Sequence, residues 1–298
     1  MVYRLALLGT WLARWCSPRI RHALGALVGE IAYWGWASKR RITQENMAVV
    51  LNQPPSHPLV RRLARASWRN YGRYIADFFD FPNRALEEFQ SRLVDMTPHP
   101  QGYLGMLKQA HAGKRGVVIT TAHFGNWDVG GAIFASGEAF SVIAEKFADP
   151  RLDHLIQGQR AAKGMHVIPM EGTARRVFRA LLRRETVAIL ADRPLTERDG
   201  VAVTFFGRRT YVPSGPAQLA LKTGSALVGG FCWYAPNGRF YGLMTEPITY
   251  EPTGDQHHDV QVLTQRVYRL LETMIRAYPE QWYMFRPFWP SSHQQLAK

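Results

Sequence analysis

From Gly116 onward the chain alternates short apolar runs with longer stretches in which apolar residues recur at helical spacing. The runs are Val117 to Ala122, Ser141 to Ala144, His166 to Met170, Val187 to Ala191, Val201 to Phe206 and Leu227 to Tyr234, with Phe240 to Thr249 as a further one. Their length and their β-branched and aromatic content predict strands. Arg151 to Lys163, Thr173 to Arg184 and His258 to Tyr278 carry the helical period instead. Apolar strands separated by helices of this length predict an α/β protein with a mostly parallel central sheet, flanked by helices on both faces. Residues 1 to about 112 read as mostly helical, with breaks at Pro18, Lys39 to Arg41, the Pro54 to Pro58 cluster and Pro82 to Asn83. At 298 residues and 46% hydrophobic content, with no repeat or low-complexity linker, one domain over 1–298 is expected.

The first part of the chain holds a second pattern. Leu5, Leu7, Leu8, Trp11, Leu12 and Trp15, then Leu24, Leu27, Ile31, Tyr33, Trp34 and Trp36, include gaps of three and four that read as helices with an apolar face. Basic residues crowd the same region: Arg4, Arg14, Arg19, Arg21, Lys39, Arg40, Arg41, Arg61, Arg62, Arg65, Arg69 and Arg73 face only Glu30 and Glu45. The whole chain has 37 Lys and Arg against 23 Asp and Glu, so its positive field draws anionic partners. A transmembrane helix needs roughly 18 apolar residues in a row, and Arg14, Arg19, Arg21 and Glu30 interrupt every run before that. Residues 1–38 are therefore expected to form amphipathic helices that lie in the headgroup layer of an anionic membrane surface. The same stripes also suit helices buried in the core, and the two readings can hold together. No zinc-finger spacing, aromatic single-strand motif or basic low-complexity arm accompanies the charge, so nucleic acid is not expected as a partner. Cys16 and Cys232, far apart, fit a reducing cytosol better than a disulfide scaffold.

Candidate chemistry lies just past the first core run, in Gly116-Val-Val-Ile-Thr-Thr-Ala-His123-Phe-Gly-Asn-Trp-Asp128. Open α/β sheets hold ligands at the carboxyl ends of their strands. His123 would stay in the loop, Gly125 would supply a bend, and Asp128 would ride the first turn of the next helix. The expectation is that the Asp128 carboxylate accepts a hydrogen bond from one ring nitrogen and leaves the other free to act as a base. No Gly-x-Ser-x-Gly elbow supplies an enzyme hydroxyl, so the hydroxyl belongs to a substrate. Glu145, at the end of the second run, is a further candidate. His257-His258-Asp259 lacks the ligand spacing of a metal site, and neither a phosphate-binding nor a dinucleotide-binding glycine motif occurs.

His123-Phe-Gly-Asn-Trp-Asp128, Ala191-Asp-Arg-Pro-Leu-Thr-Glu-Arg-Asp-Gly-Val-Ala-Val-Thr-Phe-Phe-Gly207, Ser214-Gly-Pro-Ala-Gln-Leu-Ala220 and Pro279-Glu-Gln-Trp-Tyr-Met-Phe285 resemble, in order, the motifs of the lipid A late acyltransferase family. The resemblance runs from about residue 40 to 290 and is nearest the phosphatidylinositol mannoside branch. It implies a glycerolipid-acyltransferase-like α/β fold with a helical, membrane-facing N-terminus. It also implies transfer from acyl-CoA or acyl carrier protein, as co-substrate, to a glycolipid hydroxyl, with no cofactor or metal. The implied location is peripheral, on the cytoplasmic face of the bacterial inner membrane. By the same resemblance His123 is the base, Asp128 its orienting residue and Glu197 an acidic residue on the acceptor side. Arg160 matches a basic position suited to an anion or oxyanion, and Asp192 and Arg193 line the same loop as Glu197. A lysophospholipid or lipid A-type acyltransferase and a thioesterase are the alternatives.

Overall fold

The structure, a computed structural model, describes residues 2–113, 115–170 and 172–289, so both ends of the expected 1–298 unit lie outside the described residues. The N-terminal layer consists of α1 (Val2–Ala13), α2 (Pro18–Gly35), α3 (Ala37–Leu51), α4 (Pro58–Asp80) and the short α5 (Leu86–Ser91). Then follow β1 (Leu93–Asp95), α6 (Gly102–Ala110), β2 (Val117–Thr121), α7 (Trp127–Phe134), β3 (Phe140–Ala144), α8 (Pro150–Ala161), β4 (Met165–Pro169), α9 (Thr173–Leu182) and β5 (Thr186–Leu190). The chain closes with β6 (Val201–Phe205), β7 (Arg208–Val212), α10 (Gly215–Thr223), β8 (Ala226–Tyr234), β9 (Phe240–Met244) and α11 (Gln256–Ala277).

Among the described residues a seven-stranded sheet runs in the order β1-β9-β8-β2-β5-β3-β4. From β8 to β4 every pair is parallel, as expected from apolar strands joined by helices. The period-two alternation splits these strands between two buried clusters. Val117 and Ile119 of β2 and Val228 and Cys232 of β8 face one layer, with Phe81, Phe134 and Phe140. Val118 of β2 and Leu227, Phe231 and Trp233 of β8 face the other, with Tyr268, Leu271 and Ile275 of α11. Burial on both faces explains why these strands read as continuous apolar runs.

Four details depart from the sequence reading. Val201 to Phe206 does not join the main sheet: β6 and β7 form a separate antiparallel hairpin, turned by Phe206 and Gly207 with φ of 51° and 74°. The Phe240 to Thr249 strand stops at Met244 and runs antiparallel to β8; Pro247, three residues on, has no N–H to give a ladder. Leu93–Asp95, in the segment read as helical, adds an edge strand parallel to β9. The break expected at Lys39 to Arg41 falls instead at Trp36, whose φ of −110° and ψ of 74° separate α2 from α3.

Helices α2 and α4 cross with almost no side chain between them. A Cβ on Gly72 would lie 2.0 Å from the Gly25 carbonyl oxygen, and one on Gly29 would lie 2.1 Å from the Trp68 carbonyl oxygen. Glycine alone permits this approach, and it presses the inner face of α2, including Tyr33, into the core. Gly72→Ala is therefore expected to destabilise the protein by about 1–3 kcal/mol through overpacking, read as a lowered midpoint in urea unfolding, whereas Gly35→Ala, which meets nothing within 4 Å, should leave the midpoint unchanged.

Candidate active site

β2 and β5 are neighbours whose last residues, Thr121 and Leu190, pair across the ladder. Two residues beyond these partners stand His123 and Asp192, so the register brings them to the same level above the sheet. The Asp192 carboxylate has 0% side-chain exposure, while the His123 side chain is 42% exposed. His123 Nδ1 lies 2.8 Å from Asp192 Oδ1, and the His123 backbone N–H donates to Oδ2 at 2.9 Å. Trp282 Nε1 donates to the same Oδ2 at 2.9 Å. With a carboxylate beside it, Nδ1 carries the proton, and Nε2 is left as the basic nitrogen.

Burial opposes a charge on this imidazole, but the Asp192 carboxylate outweighs it. Glu145 adds to the pull and Arg286 subtracts from it, and the pKa stands above the ordinary 6.5. A half-exposed imidazole of raised basicity, fixed through Nδ1, can accept a proton from a hydroxyl brought to Nε2.

Asp128 is not the partner of His123, contrary to expectation. It sits in the first turn of α7, buried, and accepts hydrogen bonds from Tyr74 Oη at 2.7 Å and from Arg160 Nε at 2.7 Å and Nη2 at 3.3 Å. The cause is the backbone path: Gly125, at φ 62°, turns the loop against β8, where a Cβ would lie 2.1 Å from the Cys232 carbonyl oxygen. This directs α7 and its carboxylate toward α4 and α8. Arg160 is likewise committed: Nη1 donates to Gln157 Oε1 at 3.1 Å, and its guanidinium lies over the Phe78 ring. Burial works against its charge and Asp128 more than compensates, so its pKa is raised. An Arg160 engaged at all three nitrogens is a structural counter-ion before it is an anion site.

Glu145 and Arg193 form an ion pair with each other at the carboxyl ends of β3 and β5. Glu197 is exposed on the loop before β6 and accepts a hydrogen bond from Tyr211 Oη of β7 at 2.7 Å. The residues missed at the sequence level are those that clamp the loop. Tyr283 N donates to the His123 carbonyl at 2.8 Å, Gly125 N to the Gln281 carbonyl at 2.8 Å and Asn126 N to the Cys232 carbonyl at 2.8 Å. Trp127 meets the His123 ring edge-on at 5.4 Å and packs against Tyr74 at 4.1 Å with the rings tilted by 33°. The motif Pro279 to Phe285, far along the chain, thus lies across the histidine loop.

The family described as bacterial lipid A biosynthesis acyltransferase matches residues 2–291. The phosphatidylinositol mannoside acyltransferase of Mycobacterium tuberculosis is 34% identical over 289 residues, covering 94% of this chain and 86% of the relative. That of Mycolicibacterium smegmatis is 32% identical over 254 residues, covering 83% and 78%. The resemblance noted from the ordered motifs is borne out, and it extends through the N-terminal helices as well.

The two carboxylates differ in what they do to His123. By NMR titration the imidazole of the intact protein should titrate above 6.5, and Asp192→Asn should move it to lower pH, with Asp128→Asn leaving it in place. The sign follows from the raised value: the Asp192 pairing contributes stability in full below the unfolded-state pKa, and that contribution is lost as pH rises through the folded-state pKa.

Proposed function

The chain belongs to the bacterial lipid A biosynthesis acyltransferase family, and from that premise we propose that it moves a long fatty acyl chain from acyl-CoA or acyl carrier protein to a hydroxyl of a phosphatidylinositol mannoside-like glycolipid, with His123 as general base. The pairing of the half-exposed His123 with the buried Asp192 carries this reading. The acceptor hydroxyl gives its proton to His123 Nε2 as its oxygen attacks the thioester carbonyl. A C–O bond forms and the carbonyl becomes a tetrahedral oxyanion. Asp192 steadies the imidazolium that results. Collapse of the intermediate breaks the C–S bond, and the imidazolium returns its proton to the departing thiolate. No acyl-enzyme forms, in keeping with the lack of a Gly-x-Ser-x-Gly elbow.

In this mechanism Asp128 and Arg160 act together as a neutral buttress behind α7. Glu145 and Arg193 border the reacting centre, and Glu197 with Tyr211 lies on the acceptor side. The mannoside acceptor is drawn from the names of the relatives.

We assign the outer faces of α1 and α2 to a lipid surface, as a peripheral contact at the cytoplasmic face of the inner membrane. No helix among the described residues is long and apolar enough to cross a membrane. Yet Trp11, Leu12, Trp15, Leu24, Leu27, Val28, Ile31 and Trp34 are exposed, from 47% at Leu12 to 72% at Trp15, with exposed Arg4, Arg14 and Arg19 beside them. Apolar area of this kind, rimmed by arginine, suits the headgroup layer.

Incubation with radiolabelled palmitoyl-CoA and a panel of mannosylated, glucosamine-based and lyso lipids should put label in a mannosylated lipid. His123→Ala should lower transfer on the order of 10²- to 10⁴-fold, and Asp192→Asn should fall in the same range. Label in a lyso lipid or a glucosamine-based lipid would reassign the acceptor, label only in free fatty acid would point to a thioesterase, and full transfer by His123→Ala would sink the mechanism. For the lipid contact, deletion of 1–38 is a poor test because it removes the α2 face packed on α4. Trp11→Ser, Trp15→Ser and Ile31→Ser combined should instead weaken co-sedimentation with anionic vesicles more than about tenfold, since each buried apolar side chain contributes roughly 1.5–3 kcal/mol, while urea unfolding stays as in the parent.

A further inference from the structure

Asp77 of α4 is a buried carboxylate that the chemistry above does not use. Four donors converge on it. Arg21 Nη2 lies 3.2 Å and His22 Nε2 2.7 Å from Oδ1, while Tyr234 Oη lies 2.9 Å and Asn126 Nδ2 3.3 Å from Oδ2. Arg21 also reaches Asp80 at 2.7 Å. Asp77, Asp80, Arg21 and Asn126 are all buried, so none of these partners is exchanged freely for water.

The donors come from different parts of the protein. Arg21 and His22 belong to α2, whose opposite face carries the exposed Leu24, Leu27, Val28 and Ile31. Tyr234 ends β8. Asn126 belongs to the loop that carries His123, and its Oδ1 caps α7 by accepting from Val129 N at 3.1 Å. The His123 loop is also held by the Asp192 carboxylate at His123 and through its backbone by Gln281, Tyr283 and Cys232. Tyr74 of α4 meets Trp127 and Asp128, and Asp77 is the tie that reaches α2: Arg21 and His22 to Asp77, then Asn126, then Trp127 against the His123 ring.

We propose that Asp77 is a positioning residue for acyl transfer: through Asn126 it fixes the turn that holds Trp127 and His123, and through Arg21 and His22 it makes that placement depend on how α2 is seated. The coupling to a lipid surface rests on the reading of α2 as lipid-facing. A vesicle that settles α2 should then order the His123 loop, and a small misplacement of that loop should cost rate more than binding.

The test uses the full chain with phosphatidylglycerol–phosphatidylcholine vesicles and reads co-sedimentation, hydrogen exchange of segment 122–134, and kcat and KM with palmitoyl-CoA. In the unmodified protein vesicles should slow exchange in 122–134 several-fold and raise kcat. Asp77→Asn, and the milder His22→Leu and Tyr234→Phe in case Asp77→Asn does not fold, should sediment as before. They should lose the vesicle-induced protection, and kcat should fall about 10- to 100-fold with KM little changed. Failure of the unmodified protein to sediment would remove the lipid-facing reading itself. Sedimentation without protection of 122–134, or protection and kcat retained in His22→Leu and Tyr234→Phe, would overturn the role given to Asp77. The exchange readout does not depend on which acyl donor the protein uses.

Discussion

The arrangement of this protein around its candidate active site turns on one buried negative charge. A carboxylate removed from water is costly unless its oxygens are occupied by donors, and Asp192 has three: the His123 ring, the His123 backbone and the Trp282 indole. Each imposes a condition on the fold. The ring and backbone bonds require β2 and β5 to be adjacent and in register, so that residues two places past Thr121 and Leu190 meet. The indole bond requires the segment after α11 to cross back over the strand ends, where Phe124 and Trp282 form a bridge. Buried Tyr268 of α11 donates to the Ala191 carbonyl, fixing the residue just before the carboxylate.

This explains which parts of the site were legible in sequence. His123 was visible because it follows an unbroken apolar run, the mark of a strand covered on both faces, and strand ends are where such sheets do chemistry. Asp192 carried the same mark after Val187 to Ala191, yet its pairing with His123 depends on β5 lying beside β2 although β3 and β4 intervene in the chain. Strand order is a long-range property that local pattern does not contain. Local pattern therefore points to the nearer carboxylate, Asp128, which the fold pairs with Tyr74 and Arg160 instead. What moved it away was the positive φ of Gly125, a bend foreseen in place but not in direction. Trp282 and Tyr283 lay within a motif matched in order, but their contacts with His123 and Asp192 arise only on folding. β1, three residues long with one exposed position, was too short to give a strand signal.

The N-terminal helices were ambiguous for a physical reason. An apolar stripe records that a face avoids water, without recording whether protein or lipid covers it. α2 has one face covered by protein and one left exposed. Gly25, Gly29 and Tyr33 pack against α4, while Leu24, Leu27, Val28 and Ile31 lie outward. The glycines make this possible, since without side chains of their own they let α2 rest on the α4 backbone. The polar residues of the inner face, Arg21 and His22, then meet Asp77 in a buried network instead of solvent.

Two aspartates at the same histidine loop thus have different electrostatic roles. Asp128 is neutralised by Arg160, whose charge is permanent, so the pair adds little net field and serves to hold α7 against α4 and α8. Asp192 faces a partner that can be neutral or charged, and its negative charge has its full effect on that choice. A carboxylate already balanced by arginine could orient an imidazole but would do little for its basicity. A carboxylate balanced only by neutral donors does both. The division pairs the imidazole of His123 with Asp192 and leaves the more conspicuous spacing, His123 to Asp128, to describe a turn rather than a dyad.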